Sequence, residues 1–180
     1  MISGGRLRGV RLAVPPGLST RPTRGRVREA LFSIVAEHLP GARVADLYAG
    51  SGALGLEALS RGAAHATFVE RGAPALACLR RNIAACRLAP GEYELLITDA
   101  QVLAPRQPFD LVLADPPFAL RDPLPPALLR PGALASGGLL VLEQPGERIA
   151  PLRLGALELR ASRSYGDTSS LWIYAPSVTR

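Results

Sequence analysis

Residues 43–55 have the sequence RVADLYAGSGALG, in which a short apolar stretch leads directly into three glycines at the spacing G-x-G-x-x-G. Residues 43–47 are typical of a buried strand and residues 52–61 of a helix. Glycine lets the backbone turn sharply and approach a ligand closely, while the first N–H groups of a helix point toward that ligand. The segment therefore predicts a strand, a ligand-binding turn that contains Gly50 and Gly52, and a helix.

Strand-like and helix-like segments alternate from this point onward. The predicted strands are 43–47, 66–69, 94–97 and 111–114, with helices over 52–61 and 74–86 and a preceding helix over 23–39. Such alternation predicts an α/β fold, in which a parallel sheet has helices on both faces. A further strand is predicted over 138–143. Segments 157–161 and 170–174 then predict an antiparallel pair around the turn-rich YGDTSS.

The chain of 180 residues is long enough for one domain, and we expect a basic arm over residues 1–22 and a single domain over residues 23–180. The net charge is +6, and all 21 basic residues are Arg. Much of the surplus precedes the first acidic residue, Glu29, which predicts an anionic partner such as nucleic acid. The arginines expected to contact RNA are Arg6, Arg8, Arg21, Arg24 and Arg28.

Several classes of protein are disfavoured by what the sequence lacks. No apolar run approaches the roughly 18 residues of a membrane span, and no secretory signal is evident, so we expect a cytoplasmic protein. Nothing in the sequence indicates the oligomeric state, and a monomer is the default expectation. Cys78 and Cys86 lie too far apart on one predicted helix to form a disulfide. His38 and His65 do not have the spacing of metal ligands, so we expect no metal.

Acidic residues end or follow three of the predicted strands. Asp46 lies four residues before Gly50, Glu70 ends the second strand, and Asp99 follows the third. Ligands of open α/β sheets bind beyond the carboxyl ends of the strands. A carboxylate at Asp46 would repel a pyrophosphate but suits an amino group and a sulfonium, so the pattern favours S-adenosylmethionine over a dinucleotide. The predicted cofactor-binding residues are Asp46, Tyr48, Ala49, Gly50, Gly52, Glu70, Arg71, Asp99, Ala100 and Asp115.

The fourth predicted strand ends in Asp115-Pro116-Pro117-Phe118. The two prolines fix the backbone after the strand. If Asp115 and the Pro116 carbonyl accepted both hydrogens of an exocyclic amine, its lone pair would point at a methyl donor. Phe118 would stack on a base that has left its helix. The motif predicts methyl transfer to an amino group of a nucleobase, with Asp115, Pro116 and Phe118 as catalytic residues.

Five segments together resemble the bacterial 16S rRNA guanine-N2 methyltransferases, which modify a loop guanine near the P site of the small subunit. The segments are GGRLRG, RPTRGRVREALF, DLYAGSGALGLEALSRGA, DPPF and YGDTSSLWIY. The resemblance implies a Rossmann-like class I methyltransferase with a seven-stranded, mostly parallel sheet whose carboxyl-terminal strand is antiparallel. It also implies S-adenosylmethionine as cofactor, S-adenosylhomocysteine as product, and 16S rRNA within a small-subunit particle as partner. The family often has an acid where Gly25 stands, and Thr23 is an alternative cap for the helix.

Three other functions stay open at this point. An adenine-N6 DNA or RNA methyltransferase would use the same proline motif, usually with Tyr at the position of Phe118, but a DNA reader needs a recognition domain for which the chain leaves little room. A non-catalytic nucleic-acid-binding module on the same fold is disfavoured by the intact set of acids and glycines. A nicotinamide oxidoreductase would need a hydride-transfer partner such as a Tyr-Lys pair, and the chain has no Lys.

Overall fold

The computed structural model describes residues 1–15 and 22–177, and of residues 22–24 it describes only the backbone. The α-helices of this part of the chain are α1 (Pro22–Ile34), α2 (Ala53–Ser60) and α3 (Ala73–Ala85). Short 3-10 helices span Ala36–His38, Ala100–Val102 and Pro126–Leu129. The strands are β1 (Arg43–Leu47), β2 (His65–Glu70), β3 (Tyr93–Ile97), β4 (Phe109–Ala114), β5 (Leu134–Gln144), β6 (Arg153–Leu154), β7 (Leu157–Tyr165) and β8 (Ser169–Pro176).

All these strands belong to one sheet with the order β3-β2-β1-β4-β5-β8-β7-β6. Strands β1 to β5 run parallel, while β8 pairs antiparallel with both β5 and β7. The predicted α/β class, the mostly parallel sheet and the antiparallel carboxyl-terminal strand are therefore confirmed.

The described sheet has eight strands, so the predicted number of seven is wrong. The additional strand, β6, has only two residues, and it pairs with the start of β7 through Leu154 and Leu157. Gly155, between these strands, has a φ of +58°, in the left-handed region that suits a tight turn. Two residues are too few to show the alternation of apolar and polar side chains that predicts a strand.

The two faces of the sheet are covered differently. On one face, strand residues such as Val44 and Phe68 form a core with side chains of all three α-helices. On the other face, strand residues such as Val112 and Leu142 pack against the 3-10 helices Ala100–Val102 and Pro126–Leu129 and the loops around them. Helices lie on both faces as predicted, but within the described residues the α-helices lie on one face only.

The amino-terminal segment is attached to the body of the domain by a buried carboxylate. Glu57 of α2 is fully buried and accepts hydrogen bonds from the backbone N–H groups of Ser3 and Gly4, the Ser3 hydroxyl and Arg61 Nε. Ile2 is also fully buried in the main core. The described part of the predicted arm therefore packs on the domain, and the boundary at residue 22 stays a prediction.

A close backbone approach at Gly5 and a side-chain contact at Ala13 explain why the segment follows this path. Gly5 has a φ of +73°, and a Cβ at this position would lie 1.8 Å from the carbonyl oxygen of Ser60, so the close approach requires glycine. Asn82 of α3 accepts a hydrogen bond from Ala13 N at 2.7 Å and donates one to Ala13 O at 2.9 Å. The segment is thus pinned against α2 and α3.

Among the described residues, no helix is both long enough and apolar enough to cross a membrane. The same residues contain no group of three or more His, Cys, Asp and Glu side chains that could hold a metal ion. Cys78 and Cys86 are both free thiols.

Candidate active site

A cleft of about 1180 Å³ lies at the carboxyl ends of the parallel strands. Most of the residues predicted to bind the cofactor or to act on the substrate line this one cleft: Asp46, Tyr48, Ala49, Gly50, Glu70, Arg71, Asp99, Ala100, Asp115, Pro116 and Phe118. Gly52 is not part of the cleft wall. The expected meeting of these residues at one edge of the sheet follows from the parallel topology.

The turn between β1 and α2 has an unusual backbone. Tyr48 and Gly50 both have positive φ values, 59° and 58°, and the N–H of Gly50 donates a 2.9 Å hydrogen bond to the Glu70 carboxylate. Gly52 also has a positive φ, but a Cβ there would lie 2.4 Å from Leu79 Cδ1. Gly52 therefore allows α3 to pack closely, which is a structural reason for this glycine that differs from the predicted ligand contact.

Asp46 is the fourth residue of β1 and is only 1% exposed. Its Oδ2 accepts a 2.8 Å hydrogen bond from Gly55 N in the first turn of α2. Burial, aided by the nearby acids Asp115 and Glu70, raises the pKa of Asp46 to about 8, although the Gly55 hydrogen bond acts in the opposite direction. Because a cation in the cleft would favour the ionised form, this carboxyl group suits a positively charged ligand group.

Glu70, at the end of β2, is held by three backbone N–H groups. Its Oε2 accepts from Gly50 at 2.9 Å, and its Oε1 accepts from Arg71 at 2.8 Å and Gly72 at 2.6 Å. An ionised carboxylate has about four acceptor positions, so both oxygens can take further donors from a ligand. The side chain is thereby fixed in orientation at the cleft wall.

Asp99 follows β3, and its carboxylate contacts both Gln101, which comes shortly after it, and Arg71, which follows β2. Its Oδ1 accepts from Gln101 N at 3.0 Å, and its Oδ2 forms an ion pair with Arg71 Nη1 at 2.6 Å. The Arg71 side chain is 72% exposed, so water weakens this ion pair. A ligand that reached Asp99 would compete with Arg71.

The loop after β4 carries the proline motif. Leu120 N donates to Pro117 O at 2.9 Å, which closes a turn directly after the two prolines. Phe118 is 42% exposed, so its ring is accessible for stacking. Arg148 donates to the carbonyl oxygens of Phe118 and Leu120. The loop is therefore stabilised by its own turn and by hydrogen bonds from Arg148.

The sequence did not identify three residues around the site: Glu143, its hydrogen-bond partner Ser169, and Arg148. Glu143, at the end of β5, lines the cleft, and its Oε1 accepts a hydrogen bond from the Ser169 hydroxyl at 2.9 Å. Its position after an apolar strand is the signal that identified Asp46 and Glu70. Arg148 carried no such signal because its contacts with the loop lie 28 and 30 residues away in the chain.

The arginines predicted to contact RNA have different environments. Arg6 and Arg8 are exposed, and Arg6 pairs with Glu92. Arg28 donates to the carbonyl oxygen of Met1 at 2.8 Å, and its Nε lies 3.9 Å from the Glu57 carboxylate, so it helps to anchor the amino terminus. Arg21 and the side chain of Arg24 lie outside the described residues.

The sheet order, the glycine turn and the acids at the strand ends define a class I methyltransferase fold with a site for S-adenosylmethionine. The residues of the cleft fit this cofactor. Carboxylates suit its amino group and hydroxyls, and apolar side chains such as Leu54 and Val69 suit the adenine ring. S-adenosylmethionine is therefore the cofactor for which this cleft is built.

The chain belongs to the family described as Conserved hypothetical protein 95, whose model matches residues 1–175. The Escherichia coli protein Ribosomal RNA small subunit methyltransferase D is 42% identical over 119 residues, which cover 65% of this chain and 59% of that protein. The matched stretch thus spans less than two thirds of the E. coli relative. A Bacillus subtilis protein named as an rRNA methyltransferase, YlbH, is 33% identical over 177 residues, covering 93% of this chain and 94% of that protein. The predicted membership in an rRNA methyltransferase family is confirmed.

A solved structure from E. coli, named as a methyltransferase, yhhF, superimposes with a TM-score of 0.84. It is 32% identical, and the alignment covers 99% of this chain and 98% of that chain. A structure from Thermus, named as a hypothetical protein, has a TM-score of 0.78 and 32% identity, with 96% of both chains covered. The similarity extends over the whole domain.

Proposed function

We propose that this protein transfers a methyl group from S-adenosylmethionine to the exocyclic N2 amino group of a guanine in 16S rRNA. The observation that carries the proposal is that Asp115, Pro116 and Phe118 line the same cleft as the acids Asp46 and Glu70. An amine-binding motif therefore faces a cofactor site. The E. coli relative is named for the rRNA of the small subunit, which supports the choice of substrate.

The acids at the strand ends would bind different parts of the cofactor. Asp46 would bind its amino group, Glu70 its ribose hydroxyls, and Asp99 with Ala100 N–H its adenine edge. When bound, S-adenosylmethionine supplies a methyl group activated by a sulfonium and leaves as S-adenosylhomocysteine. The hydrogen bonds that already orient Glu70 and Asp99 reduce the cost of ordering these side chains on binding.

Asp115 and the Pro116 carbonyl would accept the two hydrogens of the guanine amino group. This contact holds the amine with its lone pair directed into the cleft, which the delocalised nitrogen does not favour by itself. Once the nitrogen gains the methyl group it becomes strongly acidic and releases its proton to the Asp115 carboxylate. Phe118 would stack on the base, a contact of about 1–3 kcal/mol in single-stranded recognition.

The amino-terminal arginines would bind the RNA backbone. Arg6 and Arg8 are exposed on the docked segment, and Arg21 and Arg24 belong to the same basic stretch of sequence. Arg28 differs, since its guanidinium is already engaged by the Met1 carbonyl. We expect the substrate to be 16S rRNA within a small-subunit particle, bound by a monomeric, cytoplasmic enzyme.

Tritium transfer from labelled S-adenosylmethionine to small subunits that lack the modification tests the proposal. After nuclease digestion, the nucleosides are separated by chromatography. Label in N2-methylguanosine is the expected result. Label in N6-methyladenosine would assign the amine chemistry to an adenine enzyme, and absence of label from the rRNA and from DNA added in a parallel reaction would favour a non-catalytic binding module.

A further inference from the structure

We propose that Glu143 selects guanine over adenine by accepting the N1 hydrogen of the base whose amino group lies at Asp115. This inference rests on the proposed function. It assigns a specificity role to a side chain that the proline motif does not include.

Strands β4 and β5 place the two acids side by side. Their parallel register pairs Ala114 with Leu142, and Asp115 and Glu143 each follow one residue later. Side chains alternate between the faces of a sheet, and Ala114 and Leu142 both face the core on the side of the 3-10 helices. The side chains of Asp115 and Glu143 therefore project from the opposite face, and both residues line the cleft.

A neighbouring strand holds Glu143 in place. The hydroxyl of Ser169, at the start of β8, donates a 2.9 Å hydrogen bond to Glu143 Oε1. An ionised carboxylate can accept about four hydrogen bonds, so this contact leaves capacity for a ligand N–H. Ser169 belongs to the YGDTSS turn, which gives that segment a part in the site although it lies far from DPPF in the sequence.

The donor pattern of the base provides the selectivity. Guanine has an N1–H immediately beside its 2-amino group, so adjacent carboxylates can accept from both atoms at once. Adenine has an acceptor nitrogen beside its 6-amino group, and that lone pair would face the Glu143 carboxylate. A site built to accept a hydrogen bond rejects an analogue that leaves its polar groups unpaired by large factors.

Base analogues test this assignment directly. Small subunits are reconstituted from ligated 16S rRNA that carries guanine, 2,6-diaminopurine or 2-aminopurine at the nucleotide methylated in the tritium experiment. Both analogues keep the 2-amino group but have an acceptor at N1. We expect wild-type single-turnover rates at least about 100-fold lower with both analogues than with guanine. Equal rates would overturn the inference, whereas failure to methylate guanine itself would overturn the proposed function.

The variant Glu143→Gln replaces an acceptor-only carboxylate by a neutral amide, which accepts more weakly from guanine N1–H and can donate to an acceptor at N1. The single-turnover rate with guanine should fall about 10-fold or more. The rate with guanine divided by the rate with 2,6-diaminopurine should fall by at least about 10-fold. Glu147→Gln is the matched control, because Glu147 is exposed and is not part of the cleft wall, and it should keep the wild-type ratio. An unchanged ratio in Glu143→Gln would overturn the assignment.

Discussion

The guanidinium of Arg148 donates a 2.9 Å hydrogen bond to the carbonyl oxygen of Phe118. The same side chain reaches Leu120 O at 3.2 Å and Gln144 Oε1 at 2.6 Å. Gln144 is the last residue of β5 and is 2% exposed, so its side chain is held by packing and anchors the Arg148 guanidinium to the sheet. One arginine therefore fixes the loop that follows Asp115 to the sheet, and the position of the proposed stacking ring depends on it.

Replacing Arg148 by Ala should lower the single-turnover rate of methyl transfer about 10- to 100-fold, because misplacement of a reacting group by an ångström has an effect of that size. Cofactor affinity, measured by calorimetry, should change by less than about threefold. Arg148→Lys keeps the charge but lacks the planar fork that serves several carbonyls, so its rate should be intermediate. An equal loss of rate and cofactor affinity would show that Arg148 supports the whole cleft rather than the loop.

Asp115→Asn tests the proposed amine-binding group with little change of shape. The rate of methyl transfer should fall by at least about 100-fold, since Asn keeps an acceptor oxygen but loses the negative charge that stabilises the developing positive charge on the amine and takes up its proton. The dissociation constant for S-adenosylmethionine should stay within severalfold of the wild-type value. If the rate fell and the dissociation constant rose by a similar factor, Asp115 would belong to cofactor binding alone.

Asp46 should make stability depend on pH. Because burial raises its pKa to about 8, protonation favours the folded state, and this contribution is fully present below the unfolded pKa of 3.8 and is lost as pH rises through 8. Asp46→Asn removes this dependence and keeps an acceptor for Gly55 N. At pH 8 and without cofactor, the variant should melt higher than the wild type, by about 2–4 °C for each kcal/mol of ionisation cost that the substitution removes. Parallel melting profiles from pH 4 to 8 would contradict the raised pKa.

Glu57→Ala should destabilise the domain by about 3–5 kcal/mol, because it leaves buried donors and the Arg61 charge without their acceptor. Burial alone would raise the pKa of Glu57, but hydrogen bonds from Ser3 and Arg61 outweigh it and lower the pKa, so its contribution is present at neutral pH and lost in acid. Urea unfolding measures the effect. Glu158→Ala, at a surface ion-pair cluster, is the control and should change stability by less than about 1 kcal/mol.

Arg21→Ser and Arg24→Ser should each weaken RNA binding. In each variant the slope of the log binding constant against log salt concentration should decrease in magnitude by about 1, as expected for the loss of one phosphate contact. Arg160→Ser is the control, because Arg160 lies on β7, near the end of the sheet that is formed by β6, and it should leave the slope unchanged. Arg28 is unsuitable for this comparison because its loss would also release the Met1 carbonyl. Identical slopes in all variants would show that the basic segment does not contact the phosphates of the RNA.

Much of the fold could be predicted because its signals are local. The strand–turn–helix at residues 43–60, the alternation of strands and helices, and the acids Asp46, Glu70 and Asp99 all depend on neighbours in the sequence. Local signals failed where an element was very short, as in β6, or where a residue serves packing, as Gly52 does beside Leu79. The pairing of β6 is local but too short to leave a pattern, whereas the role of Gly52 depends on a residue of another helix.

The sequence by itself determined the α/β class, the methyltransferase family and the clustering of the strand-end residues, because side-chain periodicity, turn chemistry and parallel topology follow from the order of residues. Only the tertiary structure decided that Ser169 holds Glu143, that Arg148 holds the loop at Phe118, and that Glu57 anchors the amino terminus. These contacts join residues 26 to 54 positions apart. Their geometry, like the burial that raises the pKa of Asp46, exists only after the chain has packed.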